Sequence, residues 1–172
     1  MARVPLHDEK SLPGATALID RIKTERGGLL NLYKLLLNNE TICSGWLELF
    51  TGVRQKAKLH GRYRELATMR VAVINGAPYE YHAHVPFALK HGLTQAQIDA
   101  LPFWRESDVY EPNDRAVLAY TDMMTKHIQV PDAVFAPLEG FLDAREIFEL
   151  TVTVAGYNMV SRVLEALQVD HE

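Results

Sequence analysis

Cysteine is almost missing: Cys43 is the single one in 172 residues. One thiol cannot form an intrachain disulfide, and zinc sites built from four cysteines are excluded. Positive charge is not in excess either. The formal charge is -4 and the pI is near 6.0, so no broad basic field exists to grip a phosphate backbone, and no nucleic-acid partner is expected. No apolar run reaches the roughly 18 residues of a membrane span, so no membrane partner is expected. The opening stretch, Met1 to Lys10, mixes Arg3, His7, Asp8, Glu9 and Lys10 with few apolar residues and carries no apolar signal segment. The expected location is cytoplasmic. Repeats, low-complexity tracts, a Gly-rich phosphate loop and a nucleophile-elbow serine are all lacking. Strand signals are scarce, and the β-branched run Thr151–Ala155 sits inside a longer helical pattern.

What is present is an ordinary globular composition, 48% hydrophobic and 23% charged. That content and length suit a single domain over 1–172 with a real core. Residues 1–15 hold Pro5, Pro13 and Gly14 and read as a loose arm. Gly27-Gly28 precedes a helix at about 29–38, and a second is predicted at about 41–57. The third, about 62–75, is apolar nearly all round from Leu66 onward and reads as the central buried helix. Asn75-Gly76 stops it. The fourth, about 78–91, opens on Pro78 and closes at Gly92. Thr94-x-x-Gln97 is a capping-box pattern for a short helix to about 101, and Asp143-x-x-Glu146 is a second one for a long helix to about 168. Helices at about 113–128 and 132–140 lie between them. The fold class is therefore all-α, a bundle of seven or eight helices. The loop at 102–112 carries Phe103, Trp104 and Tyr110, which read as a lid or as interface anchors.

The densest polar cluster is Tyr79-Glu80-Tyr81-His82-Ala83-His84, one tight turn after the buried helix. Glu80 and His84 are four apart and share a helix face, while His82 points roughly 200° away. A carboxylate in the first turn also suits the helix dipole, which is the structural alternative for Glu80. Pro86 deprives the His82 carbonyl of its helical partner, which fits a pocket wall. Glu65 stands where the third helix turns from charged to apolar, and burial there would raise its pKa toward general-base values. The alternative for Glu65 is a salt bridge with Arg62 or Arg64. Arg70, inside the apolar run, needs a buried partner, and the last helix offers Glu146 and Glu149. Tyr157, Asn158, Ser161 and Arg162 form a polar patch on that helix. Glu65, Glu80, His82 and His84 are adequate metal ligands in type, but His82 and His84 diverge, and no metal site is expected. His84, Glu65 and Glu80 are the catalytic candidates. Tyr79, Tyr81, His82, Tyr157 and Asn158 are the candidates for lining a substrate pocket.

Arg64-Glu65-Leu66, the apolar helix, Asn75-Gly76, Tyr79, His84 and Gly92-Leu93 resemble the carboxymuconolactone decarboxylase family, which includes the alkylhydroperoxidase D-like proteins. The core of the resemblance covers 60–101, and later stretches at 118–120 and 149–162 extend it. It implies an alkylhydroperoxidase D-like helical fold that assembles as a homo-oligomer, commonly a trimer or hexamer. Peroxidase members carry Cys-x-x-Cys, a histidine four residues on, and a glutamate twelve residues before the first cysteine. The glutamate corresponds to Glu65 and the histidine to His84, but the cysteine positions hold Ala77 and Glu80. Neither can attack a peroxide or resolve a sulfenic acid. The decarboxylase branch works without thiols. The resemblance therefore implies a cofactor-free enzyme moving protons on a small cyclic or aromatic-derived acid or lactone. The competing expectations are a thiol-free antioxidant or metal-assisted redox protein, and a non-catalytic oligomeric ligand-binding protein.

Overall fold

A computed structural model describes residues 2–171, and within them every regular element is helical. Nine α-helices are present among these residues: α1 Thr16–Arg26, α2 Asn31–Leu36, α3 Glu40–Thr51, α4 Gly61–Asn75, α5 Pro78–Lys90, α6 Gln95–Ala100, α7 Pro112–His127, α8 Asp132–Glu139 and α9 Ala144–Leu167. A π-helical turn, Gly52–Lys56, follows α3. Contacts group the chain into two compact units, one of 1–56 with 163–172 and one of 57–162. The chain passes from the second to the first within α9.

The first unit packs α1 and α2 on α3. Ile19, Ile22, Leu47 and Phe50 are buried, and the Trp46 and Phe50 rings lie 5.1 Å apart. Arg26 donates to the Tyr33 hydroxyl at 2.7 Å, the Leu47 carbonyl at 3.1 Å and the Thr51 hydroxyl at 2.8 Å. Helix α1 escapes a reading of the sequence. It buries only Ile19 and Ile22 and has no side-chain N-cap, so its apolar stripe is thin. Residues 2–15 are not loose. The Arg3 amide donates to the Leu167 carbonyl and the His7 amide to the Lys34 carbonyl, both at 2.9 Å, while Asn38 donates to the Pro5 carbonyl. These backbone ties have no side-chain pattern to announce them.

The second unit is organised around α4, which packs on α5, α7 and the short turn Leu101–Phe103. Nine successive α4 residues, Arg64 to Ala72, are buried, so this helix is the central one the sequence predicts. It ends at Gly76, whose φ of 61° is left-handed, and Pro78 starts α5 at once. Both predicted capping boxes form. Thr94 Oγ1 accepts from the Gln97 amide at 3.2 Å, and Gln97 answers at 3.0 Å. Asp143 and Glu146 exchange the equivalent pair at 2.9 and 3.0 Å. In α9 the Thr151 and Thr153 hydroxyls donate to carbonyls one turn back, each at 2.7 Å.

Two expectations are corrected here. Arg70 does not reach Glu146 or Glu149. It forms a bidentate pair with Asp122 on α7, at 2.6 and 3.1 Å, and donates to the Leu101 carbonyl at 2.8 Å. Asp122 also accepts from Trp104 Nε1 at 3.3 Å, so Trp104 is buried and is no lid. Tyr110 is buried as well, with its hydroxyl donating to the Gln97 carbonyl. Of the three loop aromatics only Phe103 stands out in solvent. Removing one member of a buried pair strands the other's charge. Asp122→Leu should lower unfolding free energy by about 3–5 kcal/mol, and Arg70→Met combined with Asp122→Leu should recover most of it. Urea titration of the single and double variants checks this.

Candidate functional site

All the candidate catalytic side chains belong to the second unit. Glu65 comes from α4, Glu80 and His84 from α5, and Tyr157 and Ser161 from α9. Helix α4 delivers Glu65 inward because no face of its middle section reaches water. Glu80 and His84 fall on the buried face of α5 because they are one turn apart, and both are buried with Tyr79 and Ala88.

The centre of the cluster is a 2.7 Å contact between His84 Nδ1 and Glu65 Oε2. The other oxygen, Oε1, accepts from Arg64 Nε at 3.0 Å. Burial is the strongest single influence on Glu65 and pushes its carboxyl up. The hydrogen bond and charge of His84, with those of Arg64, outweigh it and hold the group below its ordinary value of 4.5. The expected rise toward a general base is thereby overturned: the His84 contact and the Arg64 guanidinium together overcome desolvation. A carboxylate only accepts hydrogen bonds, so Nδ1 of His84 carries the proton and donates it. In the neutral ring the lone pair then sits on Nε2, which meets no hydrogen-bond partner among the described residues. The ring is wedged edge-on against Tyr157, with centroids 4.9 Å apart and planes at 88°, and lies 5.8 Å from Phe87.

Glu80 Oε2 accepts from the Ser161 hydroxyl at 2.7 Å. Ser161 Oγ also lies 3.0 Å from the Tyr157 carbonyl. Glu80 is thus a buried, side-chain-bonded group rather than a carboxylate that serves only the helix dipole. Asn158 takes a different part. Its amide nitrogen donates to Thr125 at 3.0 Å, and its oxygen accepts from Asn75 at 3.1 Å and Arg162 at 2.7 Å. It ties α4, α7 and α9 together.

Tyr81 and His82 lie apart from this cluster. They line an open hollow of about 420 Å³ beside the α4–α5 turn, together with Ala72, Val73, Gly76, Ala77 and Pro78. Glu65, Glu80 and His84 are not in that lining. The candidates therefore divide in two: a buried acid–imidazole cluster with Tyr157, and an open hollow walled by Tyr81 and His82. Among the described residues no group of three or more His, Cys, Asp or Glu is gathered for a metal ion. Among the described residues no helix is long and apolar enough to cross a membrane.

Three residues of the cluster had no functional reading in the sequence. Ser161 appeared only as part of a polar stripe on α9. Arg64 appeared only as a neutralising neighbour. His91 had no signal at all, yet its Nε2 lies 3.0 Å from Arg64 Nη2.

The sequence profile of the carboxymuconolactone decarboxylase family matches residues 43–123. The uncharacterized protein YdfG of Bacillus subtilis (strain 168) is 26% identical over 115 residues, covering 66% of this chain and 78% of YdfG. A protein of unknown function from Agrobacterium tumefaciens, a candidate antioxidant defence protein AhpD, superposes with a TM-score of 0.74 at 26% identity, over 80% of this chain and 95% of its own. An alkylhydroperoxidase AhpD core protein, peroxidase-related and from Ralstonia eutropha JMP134, reaches a TM-score of 0.84 over 99% and 92% at 16% identity, a likeness of fold.

A carboxyl held below 4.5 in the folded state contributes stability above that pH and loses it as pH falls through the folded value. Glu65→Gln should therefore be less stable than the parent by about 3–5 kcal/mol near neutrality. The gap should narrow below pH 4.5. Denaturant midpoints measured from pH 7 to pH 3 follow both features.

Proposed function

We propose that the protein is a cofactor-free acid/base enzyme of this family, acting on a small cyclic or aromatic-derived acid or lactone. The observation that carries the reading is the buried 2.7 Å His84–Glu65 bond, which leaves Nε2 as the one ring nitrogen able to exchange a proton with a substrate. Glu65 holds the ring and its tautomer and stabilises the imidazolium once formed. Glu80, fixed by Ser161, is the second acid. Tyr79 and Tyr157 wall the reacting end of the substrate. The chemistry suited to these groups is proton movement at carbon next to a carbonyl. In a decarboxylation, Nε2 takes the proton of the substrate's carboxyl group, the carbon–carboxylate bond breaks with loss of carbon dioxide, its electron pair enters an enolate, and the imidazolium returns that proton to the carbon. In an isomerisation, Nε2 removes a proton at one carbon and delivers it at another. Assembly as a trimer or hexamer belongs to the same reading.

A redox role is the second reading, and the A. tumefaciens relative is the observation that favours it. A dithiol route lacks its nucleophiles, since Ala77 and Glu80 stand at the two cysteine positions. The one thiol, Cys43 on α3, is fully buried, and burial, with a smaller push from the Glu40 charge, raises it to about 11. A thiol with that value holds almost no thiolate at neutral pH.

A panel of lactones, muconate-type acids and hydroperoxides tests these readings. His84→Ala should cut turnover of the accepted lactone or acid by roughly two to four decades. Unchanged turnover by the folded variant would remove His84 from the mechanism. Cys43→Ser should leave any peroxide consumption where it was, and native Cys43 should react with a thiol reagent far more slowly than the unfolded chain does.

A further inference from the structure

We propose that His91 is a positioning residue for the Glu65–His84 pair, acting through Arg64. Four side chains stand in series: His91 Nε2 to Arg64 Nη2 at 3.0 Å, Arg64 Nε to Glu65 Oε1 at 3.0 Å, and Glu65 Oε2 to His84 Nδ1 at 2.7 Å. An arginine only donates, so the first contact requires an unprotonated Nε2 on His91. Burial, and then the neighbouring Arg64 charge, hold the His91 pKa below 6.5, which keeps that nitrogen an acceptor at neutral pH. The other charged or titratable groups facing the ring are Glu65, Lys90 and His60.

The guanidinium is planar, so one fixed Nη2 fixes the direction of Nε. With His91 in place, Nε is aimed at one oxygen of Glu65 and the other oxygen is left to His84. The fold makes room for this. A Cβ on Gly61 would fall 2.2 Å from His91 Nδ1 and 2.6 Å from Cε1. The first residue of α4 must therefore lack a side chain for the ring to lie where it meets Arg64. His91 follows α5 directly, and Gly92, with φ of 91°, turns the chain after it. One glycine and one histidine at the edge of the helix pair thus set the orientation of a carboxylate deeper inside.

The inference rests on the reading of His84 as the proton-transfer residue only for its consequence in catalysis; the orientation is measurable without a substrate. The experiment uses the full chain, labelled on glutamate carboxyls and histidine rings, in four forms: parent, His91→Leu, His91→Gln and Gly61→Ala. Arg64 is one of the groups that lower the Glu65 pKa, so freeing it should raise the Glu65 titration midpoint. The expected rise in His91→Leu is roughly one pH unit, tenfold in proton affinity. The His84 ring should also lose its single Nδ1–H tautomer at neutral pH. Gly61→Ala displaces the ring without deleting it and should do the same. His91→Gln keeps an acceptor oxygen for Arg64 and should restore the parent values. Glu65 and His84 signals unmoved in folded His91→Leu or Gly61→Ala would overturn the proposal. Should His91→Leu not fold, Gly61→Ala decides, and should acid unfold the chain before Glu65 titrates, the His84 tautomer decides. Moved signals combined with unchanged turnover in His84→Ala would keep this inference and discard only the catalytic reading.

Discussion

Charge carried on a helix that has no wet face is the constraint from which the second unit follows. Helix α4 is buried over nine successive residues, and three of them, Arg64, Glu65 and Arg70, are ionic. An isolated ion in such a place costs several kcal/mol, so each must find its counter-charge within reach. Arg70 finds Asp122 on α7, and Glu65 finds Arg64 beside it and His84 on α5. The partners sit on the two helices that pack most closely on α4. Shape alone lets apolar helices slide and rotate against one another with modest loss. Bidentate and 2.7 Å ionic contacts do not permit that, so they fix the register of α5 and α7 on α4.

The same constraint defines the chemistry. Glu65 could have been a buried neutral acid, and desolvation alone would have made it one. The Arg64 guanidinium and the hydrogen bond with His84 reverse that outcome and turn it into a fixed negative charge facing an imidazole. What the cluster then offers is an oriented ring with one nitrogen committed and one available. Nothing at Ala77 or Glu80 can carry a sulfur-based step. Glu65 and His84 stand here around Ala77 and Glu80, which carry no thiol, and Glu80 is bonded to a serine. A fold shared with a peroxidase-related structure thus hosts an acid–imidazole cluster.

Local signals were legible wherever a few adjacent residues decide the outcome. Gly76 and Gly92 adopt the left-handed backbone expected of them, Pro78 opens α5, and both capping boxes close. The Glu80/His84 face followed from helical spacing. Reading failed where the deciding partner is distant. Arg70 pairs with α7 rather than α9, because a sequence shows that a charge needs a partner, not which one geometry supplies. Trp104 and Tyr110 looked like lid residues because hydrogen bonds to Asp122 and the Gln97 carbonyl leave no trace in a loop's composition. Helix α1 leaves little trace in the sequence, because two buried isoleucines in eleven residues make almost no periodic signal.

By itself, then, the sequence determined the all-helical class, the breaks between most helices, the burial of the middle of α4 and the list of groups able to move protons. These depend on backbone preference, spacing and composition, which act over a few residues. Tertiary structure alone decided that Glu65 is ionised, which nitrogen of His84 is occupied, that Asn158 is a tie between helices, and that Tyr81 and His82 wall a separate hollow. Those outcomes turn on distances of about 3 Å between residues as far as 83 positions apart, and electrostatic balance at such range is set by packing that no local pattern encodes.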